Sequence, residues 1–321
     1  MSDQLAIGID VGGTKIAAGV VDEQGRVLAR RRADTPGTDP AAVLDTIAGV
    51  IDELRREHDV MALGIGAAGF VDASRSTVLF APHLAWRDEP LREALAGRTG
   101  LAVVVENDAN AGGWAEWRFG AAQGESDVVM VTLGTGIGGG IVIDGRPYRG
   151  RYGLAGEFGH MQVVPDGLPC ACGNRGCWEQ YASGRVLSAR GRTAAEAGTT
   201  LGRRLLDTAG GSVQDVLGSH VTEVAQAGDE EATAWIADVG DWLGVGLANL
   251  AAALDPGVFV IGGGLSDADE LLLGPARAGF SRTLTGRGHR PEARIVAAGL
   301  GAEASLIGAA DLARLTTQRT S

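Results

Sequence analysis

Residues 5–25, LAIGIDVGGTKIAAGVVDEQG, and residues 127–145, DVVMVTLGTGIGGGIVIDG, follow one plan. In each, an apolar strand runs into a glycine turn, a second strand leaves it, and a further turn (EQG, IDG) sends the chain on. Repetition of one hairpin in both halves predicts an α/β protein built twice on a single architecture. The turns VGGTK, with Gly12, Gly13, Thr14 and Lys15, and LGTG, with Gly134, Thr135 and Gly136, set bare backbone amides beside a small hydroxyl, as in an anion-binding nest. A third run, VFVIGGGLS, places Gly262, Gly263 and Gly264 after another β-branched strand and before a helical stretch from Asp267 onward. A plain hairpin accounts for any one of these turns. Together the three predict phosphate binding. The P-loop pattern is absent, and GTGIGGG leads into a strand rather than a helix, so it is not a dinucleotide fingerprint.

The segments between the glycine turns alternate in character. DPAAVLDTIAGVIDELRREH reads as an amphipathic helix, MALGIGAAG as a strand, EPLREALAGRTG as a helix stopped by glycine, and LAVVVE as a buried strand. The second half is richer in helix, EEATAWIADVGDWLGVGLANLAAALDP being the longest. A chain of 321 residues exceeds what one core sustains. Two domains are expected: residues 1–110 joined by a returning C-terminal helix at 300–321, and residues 111–299 carrying the cysteines. Glycine, at 51 residues, is about twice as frequent as in average proteins. A formal charge of −12 argues against nucleic-acid and anionic-membrane partners. No basic stretch precedes the first apolar run, which is interrupted at Asp10, and no run is long enough to span a bilayer. A soluble cytoplasmic protein is the expectation.

In VVVENDAN, Asn107 and Asp108 fall at the carboxyl end of a buried strand and the start of a helix, where open α/β sheets bind ligands. Either residue can serve as a helix cap. A carboxylate there can also take a proton from a substrate hydroxyl. All three cysteines, Cys170, Cys172 and Cys177, lie in PCACGNRGC, shortly after His160. Three thiols and one imidazole make a closed tetrahedral Cys3His zinc site, structural because no position stays open. Glu157 and Glu179 flank it. They read either as solvated surface groups or as carboxylates held for adjacent sugar hydroxyls, with the second nitrogen of His160 free for another hydroxyl.

DVGGTK, ENDAN, LGTGIGGG, GEFGH, CACGNRGCWEQYASG and IGGGLS, in this order over nearly the whole chain, resemble the ROK sugar kinases, and among them the actinobacterial-type ATP-dependent glucokinases. The resemblance implies an actin-like, hexokinase-type (ribonuclease H-like) duplicated α/β fold, with two domains closing on sugar and ATP around a cleft. It implies that Asp10 lies near magnesium, that VGGTK and LGTG hold phosphates, and that Gly262–Gly264 lie by the adenosine. Asp108 matches the catalytic base. Gly69, Asn107, Asp108, Glu157, His160 and Glu179 match the sugar contacts, and His160, Cys170, Cys172 and Cys177 the zinc ligands. ATP, Mg2+ and structural Zn2+ are thus the implied cofactors, glucose the implied acceptor, and a dimer or tetramer the implied assembly. His83, in APHLAW, stands where similar glucokinases tend to have asparagine, which bears on sugar preference. The rival readings are an N-acylhexosamine or fructose kinase, a polyphosphate-dependent glucokinase, a non-catalytic sugar sensor and a repressor. A repressor would carry an N-terminal helix-turn-helix, whereas here the first strand begins by residue 5.

Overall fold

The computed structural model describes residues 4–36 and 39–320. Its backbone contacts divide it into two units, Met1–Met130 with Gly140–Gly156 and Gly299–Ser321, and Val131–Gly139 with Glu157–Ala298.

The first unit opens with the hairpin read from the sequence. β1 (Ala6–Val11) pairs antiparallel with β2 (Lys15–Val21), and β2 with β3 (Val27–Asp34). The EQG turn needs its glycine, since Gly25 lies at φ 76°. α1 (Pro40–Arg55) starts with Pro40 behind the Asp39 cap, whose carboxylate accepts the Ala41 N–H. Its buried stripe, Val43, Ile47, Ile51 and Leu54, joins one core with Ile7, Ile9 and Val11 of β1. β4 (Ala62–Ala67) runs parallel to β1. β5 (Phe70–Val71), β6 (Val78–Phe80) and β7 (Arg87–Glu89) make a small side sheet, followed by α2 (Leu91–Thr99), which ends at left-handed Gly100. β8 (Ala102–Asn107) lies parallel to β4, and the chain turns directly into α3 (Asp108–Phe119).

The second hairpin repeats the first: β9 (Val128–Leu133), β10 (Ile137–Ile143) and β11 (Arg146–Pro147). Asp144 and Gly145, both at positive φ (50° and 67°), form the IDG turn, the backbone a two-residue hairpin loop demands. The second unit continues through α4 (Glu179–Ala182), α5 (Gly184–Glu196), α6 (Thr200–Thr208), α7 (Gly218–Gln226), α8 (Glu230–Leu254), β12 (Val258–Gly262), α9 (Glu270–Thr283) and β13 (Arg294–Ala297). The third glycine run enters a short 3-10 turn at Gly264–Ala268, so the helix expected from Asp267 begins at Glu270. The two five-stranded sheets have the orders β3-β2-β1-β4-β8 and β11-β10-β9-β12-β13. Each reads third, second, first, then two later strands, so the duplication inferred from the glycine hairpins extends to sheet topology.

α10 (Ala304–Thr320) returns to the first unit, as its apolar pattern predicts. It packs on α3, which straddles the boundary expected at residue 110 and belongs wholly to the first unit. The approach is close enough to dictate glycine. A Cβ on Gly8 of β1 would lie 1.8 Å from the Leu306 carbonyl oxygen, and one on Gly64 of β4 1.9 Å from that of Ala309. Much of the unusual glycine content thus serves packing. The interface is also charged inside: Asp311, 1% exposed, accepts the Trp114 Nε1–H at 2.8 Å, pairs with Arg118 Nε at 3.3 Å and bonds Arg314, itself 2% exposed. Removing Asp311 leaves the buried guanidinium of Arg314 without its counter-charge and away from water, while Arg118 keeps solvent access. Asp311→Ala will lower unfolding stability by about 3–5 kcal/mol in urea titration, and Asp311→Asn by less, because the amide oxygen still accepts from Trp114. A loss under about 1 kcal/mol for the alanine variant would mean the cluster is already compensated by solvent.

Candidate active site

The turn VGGTK closes with the Gly12 N–H donating to the Lys15 carbonyl at 3.0 Å. Thr35 straps it from β3's far end, its hydroxyl donating to the Gly12 carbonyl at 2.8 Å and its N–H to that of Thr14 at 3.0 Å. Thr14 and Lys15 are exposed at the turn. The loop after β6 lies against it, since a Cβ on Gly13 would meet His83 Cβ at 2.6 Å. His83 therefore sits beside the first glycine turn. Asp10, one residue before the end of β1, accepts the Ser305 hydroxyl at 2.8 Å. Burial pushes its carboxyl above the ordinary range, and the serine offsets only part of that. A desolvated carboxylate beside a phosphate-type turn fits one protein ligand of a hydrated magnesium ion, which takes its other oxygens from phosphate.

β8 and α3 meet at Asn107. Its side chain accepts the Asn110 N–H at 3.0 Å, so Asn107 is the helix cap, while its amide donates to the Gly69 carbonyl and to Asp108 Oδ1, both at 3.1 Å. Gly69 is held against the Phe80 carbonyl, 2.4 Å from where a Cβ would stand. Asp108 Oδ1 also accepts the Ala109 N–H at 2.9 Å. Gly69, Asn107 and Asp108 are thus brought together at a strand exit, where the cap of α3 is Asn107 and not Asp108.

In the second unit, the loop from Glu157 to Trp178 folds around the cysteines. Gly173 and Gly176 take φ values of 92° and 73°, and a Cβ on Gly176 would lie 1.7 Å from the Val164 carbonyl oxygen. The Cys170 N–H donates to the Asn174 carbonyl at 2.8 Å, and the loop is anchored by buried Trp178, whose indole donates to the Trp242 carbonyl at 2.8 Å. One ligand atom from each of His160, Cys170, Cys172 and Cys177 lies within 4.8 Å of the rest. Cys172 and Cys177 sulfurs are 3.7 Å apart, and Cys170 Sγ is 3.7 Å from His160 Nδ1. Tetrahedral zinc with bonds of about 2.3 Å to sulfur separates two sulfurs by about 3.8 Å. Burial and the neighbouring thiols push Cys177 up to about 12, so the crowded set favours a cation that would stabilise its thiolates. The set fits zinc, with Nδ1 of His160 turned to the sulfurs and Nε2 left over. Glu179, 8% exposed, abuts the set, its Oε1 3.2 Å from Cys170 Sγ. A Cβ on Gly136 would lie 2.6 Å from the other oxygen of Glu179, which places this carboxylate beside the second glycine turn. Glu157, in contrast, is exposed.

That turn also borders a cavity of about 570 Å³ within the second unit, lined by Gly134, Thr135, Arg185, Leu217, Gly218 and Gly264. Gly263 takes φ 84° with a Cβ position 2.5 Å from the Leu133 carbonyl oxygen, so only glycine passes there. Gly262 is buried at the end of β12, and Gly264 faces open space. Leu217 offers the cavity an apolar wall although it is 48% exposed. Arg185, at the N-terminal end of α5, brings a cation to the same wall. Sequence reading missed Arg185, Leu217 and Gly218.

Among the described residues no helix is long and apolar enough to cross a membrane. The model of the ROK family matches residues 6–316. The chain is 49% identical over 310 residues to a glucokinase of Streptomyces coelicolor, covering 97% of this chain and 98% of that one. A crystal structure of a ROK family glucokinase from Streptomyces griseus in complex with glucose and AMPPNP is 52% identical, superposes with a TM-score of 0.89, and is matched over 97% of this chain and 99% of that one. A ROK hexokinase from Thermus thermophilus is 35% identical, with a TM-score of 0.81 over 98% of this chain and 99% of that one. The paired sheets with glycine turns at their first strands therefore make a hexokinase-like α/β fold, and the chain belongs to the ROK family.

Proposed function

We propose that the chain is an ATP-dependent glucokinase that moves the γ-phosphoryl group of ATP to the 6-hydroxyl of glucose, giving glucose 6-phosphate and ADP. The observation that carries this reading is Asp108 at the exit of β8, relieved of helix capping by Asn107 and held beside Gly69. Likeness to glucokinases over nearly the full length supports the choice of sugar. In this reading Asp108 accepts the proton of the 6-hydroxyl as that oxygen attacks phosphorus. Asn107 and Gly69 orient the hydroxyl-bearing edge, and Glu157, His160 and Glu179 recognise the remaining hydroxyls.

The amides of the two glycine turns receive the charge on the phosphoryl oxygens, Thr14, Lys15 and Thr135 lie at those turns, and the 570 Å³ cavity takes the nucleoside between Leu217 and Gly262–Gly264. Magnesium, when bound, neutralises phosphate charge, and Asp10 is the residue that would hold it. Zinc on His160, Cys170, Cys172 and Cys177 supplies no chemistry of its own and fixes the loop that carries the sugar contacts. Purified protein with ATP and magnesium will form ADP at about 1–100 turnovers per second when glucose is added and at background without it. A glucose-independent rate, or none with glucose, would overturn the reading.

A further inference from the structure

Glu106 precedes the Asn107–Asp108 turn and is fully buried. It shares a strand face with Val104, which packs in a core of alanine, valine, leucine and isoleucine side chains. A carboxylate there is costly unless its oxygens are matched. Oε1 is matched by hydrogen bonds, whereas Oε2, buried without a hydrogen bond among the described residues, is met by an ion pair. Oε1 accepts the backbone N–H of Asn107 at 3.0 Å, the Nε–H of Arg149 at 2.9 Å and the side-chain amide of Asn110 at 3.5 Å. Oε2 lies 3.1 Å from Arg75 Nε. Arg149, 9% exposed, extends the grip, its two terminal nitrogens donating to the carbonyls of Asp72 and Ala73 at 3.0 and 3.1 Å. Arg75 closes the ring by accepting the Val105 N–H on its own carbonyl at 3.1 Å.

Every tie of Glu106 within its own strand and helix brackets Asp108: Asn107 before it, Asn110 after it. A purely structural salt bridge has no need of that register, and in proteins generally apolar side chains of similar volume often replace such a bridge without loss of stability. We propose that Glu106, clamped by Arg149 and Arg75, is a positioning residue that fixes the backbone of the Asn107–Asp108 turn and so the direction of the Asp108 carboxylate. Glu106 touches no substrate. This inference rests on the kinase reading above, because direction matters only if Asp108 must meet a hydroxyl proton.

Glu106→Gln keeps the shape and an acceptor for the Asn107 N–H but sets an amide against two guanidinium groups. The expected result is a kcat per folded molecule lower by about 30- to 100-fold, the scale of a misplacement near 1 Å, with a glucose Kd from calorimetry changed less than about fivefold. Arg149→Lys keeps the charge and loses the fork to Asp72 and Ala73, so it should lower kcat about tenfold with the same small change in Kd. It carries the test alone if Glu106→Gln fails to fold. Unchanged kcat per folded molecule in Arg149→Lys and in any folded Glu106→Gln, even with lowered melting temperatures, would make the cluster structural only. Equal losses in kcat and glucose affinity would mean general collapse of the turn and would also overturn positioning. A wild-type protein without glucose-dependent turnover would sink the kinase reading and this inference with it.

Discussion

Asp108→Asn will fold, bind glucose within a few fold of the wild type, and turn over about 10²- to 10⁴-fold more slowly. The fold survives because the capping of α3 belongs to Asn107, and the backbone bond that Asp108 accepts from Ala109 is accepted equally by an amide oxygen. Binding survives because the amide still offers an acceptor to the sugar hydroxyl. Only proton acceptance is lost, since an amide cannot take the 6-hydroxyl proton in the transition state. Initial rates of ADP formation beside calorimetric glucose titration separate the two quantities. A kcat within tenfold of wild type would remove Asp108 as the base.

The zinc set gives the second large effect. Cys172 is exposed, unlike Cys170 and Cys177, so serine there costs nothing in packing. If the cysteines were merely three thiols, Cys172→Ser would be silent. Held by a metal, the same change opens the coordination sphere. Elemental analysis should fall from about one zinc per chain to near zero, and glucose affinity should weaken about tenfold or more as Glu179 and His160 lose their support. Zinc-free wild-type protein, or a variant that keeps its metal and its glucose affinity, would overturn the Cys3His assignment.

What could be read from residue order alone follows a physical line. The hairpins were legible because strand periodicity and glycine turns are local, and Asp144-Gly145 needed no tertiary information to turn the chain. The gathering of His160, Cys170, Cys172 and Cys177 was legible because they lie within eighteen positions of one another and their chemistry is distinctive. The wall of the second unit's cavity was not, because Gly134, Arg185, Leu217 and Gly264 come from four separate segments. Nor was the clamp on Glu106. A single glutamate near the end of the apolar run VVVEN reads as a strand terminus, and its partners Arg75 and Arg149 lie in loops far away in sequence. The same holds for Glu116, fully buried, which accepts the backbone N–H groups of Ala121, Gly299 and Leu300 at 2.8–3.0 Å. Long-range satisfaction of a buried carboxylate leaves no periodic trace.

The seat of α10 on the glycines of β1 and β4 has a consequence for synthesis. Ala6, Val21, Ala62 and Val104 share a core with Leu306, Ile307, Ala310 and Ala313. On a ribosome adding about 5–20 residues per second, that sheet face waits on the order of tens of seconds for its cover. Residues 157–298 form an uninterrupted stretch that can begin to fold meanwhile. Although the first unit contains β1 and β2, its core is completed only after residues 157–298 of the other unit have been made. Its open sheet face during that interval is where a nascent chain of this kind is most exposed to aggregation and most in need of a chaperone.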